Sequence, residues 1–331
     1  MRKIGAALVG ATGRWGPRLA DAAARGSGLE LVTCFARDGE KLRSFAEERR
    51  IEAAESFEAA VEHPGVEAVL LVTPNDLHCE QALHAAEHGR HVFVEKPIAE
   101  SVEAGERMRD AFAEAGLVLA VGHGMRRLGA ARRVKELLGE GALGTVVLAE
   151  ANWTLPGRLT PQAWRWYRNR APGGPLLQLG IHHADTLQYW LGPVSRSRGA
   201  FARLSTEAEI DDVGAIVLEF ASGAVGSLTG SYVSPRTFFL RLYGDEAVLD
   251  YTIDMSVWPR AELADQATTL TLRSQEGDAE PVAFDHRDPL AEELDELAAA
   301  IRGEETYETG PDEGLAALTA ILDALPEKAR L

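Results

Sequence analysis

The chain has 331 residues, 46% of them apolar and 26% charged, with a formal net charge of −17 at pH 7. That length fits two domains. That charge argues against nucleic acid and anionic membrane surfaces as partners, since both need a basic face, but it allows an anionic cofactor in a local positive pocket. No apolar run approaches a membrane span, and the N-terminus enters a strand at Lys3 without the apolar core of a signal peptide. Cys34 and Cys79 are the only cysteines, and both lie in apolar-patterned segments. They read as reduced residues of a cytoplasmic protein.

Ile4 to Val9 is a short apolar strand, and Gly10-Ala11-Thr12-Gly13-Arg14-Trp15-Gly16 follows at once. An Ala/Leu-rich helix then runs to about Ala24. Glycines at this G-x-x-G-x-x-G spacing allow a tight turn and close backbone approach to a diphosphate. The helix N-terminus adds free N–H groups and a positive dipole end. Leu29 to Phe35 is the second strand, ended by Ala36-Arg37-Asp38, with a charged helix to about Arg50. Ala68 to Val72 is another strand, closed by Thr73-Pro74-Asn75. A helix with His78 near its start runs to His88, and Gly89 caps it.

The next strand, Val92-Phe93-Val94, ends in Glu95-Lys96-Pro97. Lysine is rare here: Lys3, Lys41, Lys96, Lys135 and Lys328 are the only ones. Its pKa falls readily on desolvation, which suits proton chemistry. Taken alone, a lysine at a strand end also fits an amphipathic side chain reaching for water. Pro97 fixes the backbone, and an X-Pro bond in a tight turn is a place for a cis peptide. A helix from about Val102 to Ala115 leads to the strand Leu117 to Val121. Strict alternation of strand and helix implies a parallel sheet covered on both faces, with ligands beyond the carboxyl ends of its strands. Gly10, Arg37, Pro74, Lys96 and Gly122 are therefore expected at one edge.

After Gly122 the pattern changes. A helix from Leu128 to Leu138 joins a long strand, Gly144 to Trp153, and an irregular stretch rich in Trp, Arg, Pro and Gly follows. His183 to Leu191 reads as helical. Ala215 to Phe220, Ala224 to Tyr232, Thr237 to Tyr243 and Ala247 to Tyr251 read as strands of an antiparallel sheet. Two helices close the chain, about Pro289 to Arg302 and Pro311 to Leu325. The expected architecture is α/β: a doubly wound parallel Rossmann sheet over residues 1–122, then an α+β domain over 123–331 with a large open, mostly antiparallel sheet. Apolar residues such as Val217, Phe220, Val225, Leu228, Tyr232, Phe239 and Leu242 would leave one face of that sheet in need of cover. A homodimer or homotetramer built through it is expected.

The ordered motifs resemble the Gfo/Idh/MocA family of glucose–fructose oxidoreductases, inositol dehydrogenases and related sugar dehydrogenases. They are the glycine loop, Thr73-Pro74-Asn75-Asp76-Leu77-His78, Val94-Glu95-Lys96-Pro97, residues Gly122 to Arg127, and Gly173-Gly174-Pro175-Leu176-Leu177-Gln178-Leu179-Gly180-Ile181-His182 with Asp185 three residues on. The resemblance implies an NAD(P)-dependent oxidoreductase acting on a sugar, polyol or related secondary alcohol or ketone. It implies that Lys96 contacts both the nicotinamide ribose and the substrate hydroxyl, and that His182 is the general acid/base. Gly10, Thr12, Gly13, Arg14, Trp15, Arg37, Thr73, Pro74, Asn75, His78 and Glu95 are the implied cofactor contacts. His123, Arg127, Trp153 and Arg165 fall where relatives line the substrate pocket. One departure stands out: Gln178 occupies the place of an aspartate four residues before the histidine. A carboxylate would raise the histidine pKa, whereas an amide can only hydrogen-bond, so Gln178 reads as a positioning group. Gly124 replaces an asparagine of the usual pattern.

Cofactor preference turns on the end of the second strand, where NAD-binding domains place an acid for the ribose 2′-OH. Ala36 takes that position, with Arg37 and Lys41 close behind. A small residue and an arginine fork suit a 2′-phosphate, so NADP is expected; a one-residue shift would put Asp38 there and favour NAD. Two other functions share these motifs: a glycosidase that keeps its nicotinamide bound and oxidises transiently, and a non-catalytic dinucleotide-binding regulator. His84-Ala85-Ala86-Glu87-His88 matches an inverted zinc pattern, but no third ligand is evident, and no metal is expected. Trp164-Arg165-Trp166-Tyr167-Arg168-Asn169-Arg170 reads as a pocket wall or subunit contact, His183 as a helix-surface residue, and Asp211-Asp212 as a strand-entry turn.

Overall fold

The structure, a computed structural model, describes residues 2–26, 28–157, 159–256 and 263–326. The chain divides into two compact units, Met1–Gly122 with Leu290–Leu315, and His123–Pro289 with Ala316–Leu331. Residues 290–315 thus return to the first unit, where the sequence pattern alone suggests a second domain running unbroken from residue 123.

Among the described residues of the first unit, six strands form a parallel sheet in the order β3-β2-β1-β4-β5-β6. They are β1 (Ile4–Val9), β2 (Leu29–Phe35), β3 (Glu52–Ala53), β4 (Ala68–Leu71), β5 (His91–Glu95) and β6 (Leu119–Gly122). β4 is buried at every residue and β5 at all but its first. Such runs lack polar alternation because helices cover both faces. The helices are α1 (Gly16–Arg25), α2 (Gly39–Arg49), α3 (Phe57–Glu62), α4 (His78–Glu87) and α5 (Val102–Ala115). Ser56 and Ser101 cap α3 and α5 through the N–H groups of Ala59 and Ala104. The returning segment is held by backbone and side chain: Asp295 of α8 (Pro289–Ile301) accepts the Gly28 N–H at 2.7 Å. Thr309 donates its hydroxyl to the Val121 carbonyl and accepts the Val121 N–H on its own.

Among the described residues of the second unit, eight strands follow the order β14-β13-β12-β11-β7-β10-β9-β8. They are β7 (Val146–Pro156), β8 (Val194–Ala202), β9 (Val213–Phe220), β10 (Val225–Ser231), β11 (Val233–Gly244), β12 (Ala247–Ile253), β13 (Thr268–Ser274) and β14 (Glu280–Pro281). Every neighbouring pair is antiparallel except β7 with β10. The strands alternate: Ile216, Leu218 and Phe220 of β9 are buried, while Ala215, Val217 and Glu219 between them are exposed. The residues expected to need cover divide between the two faces. Phe220, Leu228, Tyr232 and Leu242 are buried, and Val217 and Val225 are exposed together with Val147, Leu148 and Val233. α6 (Gly129–Gly139) has no capping side chain of its own. The buried carboxylate of Asp265 serves instead, accepting the N–H groups of Gly129 at 2.7 Å and Ala130 at 3.3 Å and tying them to Arg287 N at 2.9 Å. Asp212 is more than a turn residue: it gathers the N–H groups of Leu204, Ser205 and Thr206.

Candidate active site

At the carboxyl edge of the parallel sheet, the loop after β1 is shaped by contacts that only glycine allows. Gly10 has φ +91°, and a Cβ there would meet the Val72 carbonyl oxygen at 2.8 Å. A Cβ on Gly16 would lie 2.0 Å from the Ala11 oxygen. The N–H groups of Gly10 and Ala11 donate to the Phe35 carbonyl, and Gly13 N closes the turn on Gly10 O. α1 begins with no side-chain cap and a proline in its first turn. Its leading N–H groups are therefore available to an anion. This backbone cradle fits a dinucleotide diphosphate, with Thr12, Gly13, Arg14 and Trp15 on the loop.

β2 ends at Phe35. Ala36 is buried and Arg37 is exposed. Asp38 is already engaged: its carboxylate caps α2 through Lys41 N at 3.2 Å and pairs with Lys41 Nζ at 2.8 Å. The side-chain bond to Lys41, more than any other cause, holds the Asp38 carboxyl below its usual range.

β4 and β5 end in two loops joined by one side chain. His78 is fully buried, with Nδ1 3.0 Å from the Pro97 carbonyl and Nε2 3.0 Å from the Thr73 carbonyl. Burial lowers its pKa despite those carbonyls, so the neutral ring donates to one of them at a time. His78 thus latches the Thr73-Pro74-Asn75 loop to the Lys96-Pro97 turn. The Lys96-Pro97 peptide is cis. Glu95 and Asn75 are buried and Lys96 is half-buried. Thr73 donates its hydroxyl to Gln81 at 2.6 Å.

In the second unit, residues Leu176–Gly180 form a π-helical turn that runs directly into α7 (Ile181–Leu191). His182 therefore sits in the first turn of a helix, not in a loop. Its ring lies 5.4 Å from Trp153 of β7 and 6.5 Å, edge-on, from His123. His123, Arg127 and Trp153 are fully buried, while Arg165 is half-buried. Gln178 is buried and its oxygen accepts the Arg165 Nε–H at 3.0 Å. Arg165 also stacks on Trp164, 4.3 Å from the ring centre.

Residues 4–123 match the oxidoreductase family with an NAD-binding Rossmann fold, and residues 131–250 match the GFO/IDH/MocA C-terminal domain. The 1,5-anhydro-D-fructose reductase of Ensifer adhaerens is 32% identical over 270 residues, 78% of this chain and 77% of its own length. The chain belongs to the Gfo/Idh/MocA family of oxidoreductases. The NADP(+)-dependent D-xylose 1-dehydrogenase 2 of Haloferax volcanii is 27% identical over 93% of this chain and 92% of its own. A crystal structure from Desulfitobacterium hafniense, assigned as an NADPH-dependent oxidoreductase, superposes with a TM-score of 0.93 at 34% identity, covering 97% of this chain and 94% of that one.

In this Gfo/Idh/MocA chain, two features around His182 escaped sequence reasoning. The first is a buried ion pair, in which Arg126 grips Asp185 with two bonds of 3.0 and 2.5 Å, and His123 Nδ1 lies 3.9 Å from the same carboxylate. Asp185 follows His182 by three residues, one helical turn. Arg126 lay within a motif the sequence showed, but nothing in its spacing named its partner. The second is His183, which is no surface residue: it is 1% exposed, packed 4.7 Å from Phe238 and 5.7 Å from Trp153, and its Nε2–H donates to Asn152 O at 3.1 Å. A neighbour of His182 on the next helical position faces the sheet because α7 lies against β7.

Burial pushes the His183 pKa from 6.5 down to about 4. The folded value lies below the unfolded one, so the neutral ring stabilises the fold fully above about pH 6.5. That contribution, on the order of 3 kcal/mol, is lost as pH falls toward 4. Urea denaturation across this window is expected to show a shallower pH slope in His183→Gln than in the parent. Equal slopes would mean that His183 is not buried as a neutral ring.

Proposed function

We propose that this chain transfers a hydride between NADP and a sugar, polyol or related secondary alcohol or ketone. Its family membership supports the reaction class, and the activities of the anhydrofructose reductase and xylose dehydrogenase support a sugar-like substrate. The observation that carries the reading is the placement of Lys96. It is a half-buried cation at the carboxyl end of a buried parallel strand, on a turn latched by His78. When bound, the nicotinamide supplies the hydride chemistry. Lys96 counters negative charge developing on the substrate oxygen. His182 exchanges the hydroxyl proton, a task suited to imidazole near neutral pH. Gln178, an amide bound to Arg165, holds the approach to α7 without moving a proton. Asn75, Glu95 and the loop from Gly10 to Trp15 bind the cofactor, and His78 shapes the site from beneath.

Lys96→Ala and His182→Ala are each expected to reduce kcat by about a hundredfold or more while circular dichroism stays unchanged. Near-parental turnover in His182→Ala, under conditions where chemistry limits the rate, would remove His182 from the proton step.

NADP is favoured because Asp38 is held by Lys41 and the start of α2, while Arg37 stands exposed beside the small Ala36. A 2′-phosphate finds room and a guanidinium fork there. Arg37→Ala is expected to lower kcat/KM with NADP at least tenfold and with NAD little. A parent enzyme that prefers NAD, with no selective loss in the variant, would overturn the assignment.

Leu148, Val217, Val225 and Val233 on the outer face of the second sheet support a homo-oligomer joined through that face. Val225 and Leu148 lie opposite each other in register, which concentrates the apolar area. Sedimentation at micromolar concentration is expected to give a dimer or tetramer, and a monomer would refute the interface.

A further inference from the structure

We propose that Glu62, His84 and His88 form a site for a divalent first-row metal ion, with zinc the expected occupant. His84 and His88 are four residues apart at the end of α4 and so share one face. Their ring centres are 4.4 Å apart. The third ligand, which the sequence pattern does not reveal, comes from the end of α3. One ligand atom from each of the three residues lies within 4.8 Å of the others. Zinc bonds of about 2.0–2.1 Å put tetrahedral donors roughly 3.3 Å apart, so closure around an ion needs only small side-chain rotations.

Hydrogen bonding prepares the donors. His88 Nδ1–H donates to the His84 carbonyl at 2.8 Å, which leaves the lone pair on Nε2. This is how a second-shell carbonyl orients a metal-binding imidazole. That Nε2 lies 3.5 Å from Glu62 Oε1. A single metal ion can bridge the two. Nε2 of His84 is shielded from solvent and has no hydrogen-bond partner. A shared metal ion would give that buried nitrogen a partner.

The surroundings hold the two helix ends together. Arg90 Nε donates to the Val61 carbonyl at 3.0 Å, and Phe57 packs 5.3 Å from the His84 ring. The side chains of Glu62 and His88 remain 56% and 34% exposed, which leaves a fourth position open to water. Two imidazoles and one carboxylate suit zinc, nickel or copper better than calcium or magnesium. α4 ends just before β5 begins, so the site lies at the amino edge of the parallel sheet, opposite the glycine loop. The ion would therefore staple α3 to α4 and take no part in hydride transfer.

The test is isothermal titration of ZnCl2 into tag-free, EDTA-stripped full-length protein. One zinc per chain with micromolar affinity is expected, weakened more than about tenfold in His84→Gln and in His88→Gln and several-fold in Glu62→Gln. Zinc is also expected to raise the melting temperature of the parent but not of the double variant His84→Gln/His88→Gln, whose melting in EDTA matches the parent. Absence of stoichiometric binding at millimolar zinc would overturn the proposal. So would equal affinity in the double variant.

Discussion

A parallel sheet with both faces buried can present polar chemistry only where its strands end. Inside, every backbone group is paired in the ladder, and an unpaired polar side chain there would cost several kcal/mol. The first unit obeys this constraint closely. β4 and β5 are apolar throughout their interiors, and Glu95 and Lys96 arrive at the point where β5 leaves the sheet. The glycine loop after β1, the Ala36-Arg37 corner after β2 and the Thr73 loop after β4 arrive at the same edge. His78 is the exception that proves useful. Buried from helix α4, it binds two of these loop carbonyls at once and so sets the Lys96 turn relative to its neighbour.

The second unit solves a different problem. Its sheet is covered on one face, and α7 lies against β7 on that side. Trp153 fills the seam and touches both His182 and His183, so a single indole fixes the rings of two consecutive histidines. The π-helical turn before α7 adds a residue's worth of width at Gln178, a feature often found at functional sites. The Arg126–Asp185 pair beneath is well bonded on both oxygens. Removing either partner would leave a buried charge unpaired, a far larger penalty than any net gain the pair provides.

Much of this was legible in the sequence because it is local. Strand runs, capping residues, the glycine spacing and the abrupt Glu95-Lys96-Pro97 ending are all written in neighbouring positions, and strand-helix alternation then dictates the parallel order. What was not legible depends on distant partners. The two-residue strand β3 is defined only by its pairing with Thr33 and Cys34. The return of residues 290–315 rests on partners far apart in sequence, such as Asp295 with Gly28 and Thr309 with Val121. His183 was misread because adjacent helix positions were assigned to different faces without knowing that a sheet flanks both. Glu62 was invisible as a partner of His84 and His88, since no spacing rule links the end of one helix to the end of another.

The central claim, that the chain moves hydride directly between a nicotinamide and a carbon of a sugar-like substrate, is tested most directly by isotope tracing. The reduced cofactor, deuterated at the transferring position of its ring, is incubated with enzyme and a keto-sugar substrate. The account predicts one deuterium on the carbinol carbon of the product, stereospecifically placed and not diluted by solvent hydrogen. A product with no deuterium, or with label exchanged into water, would contradict it.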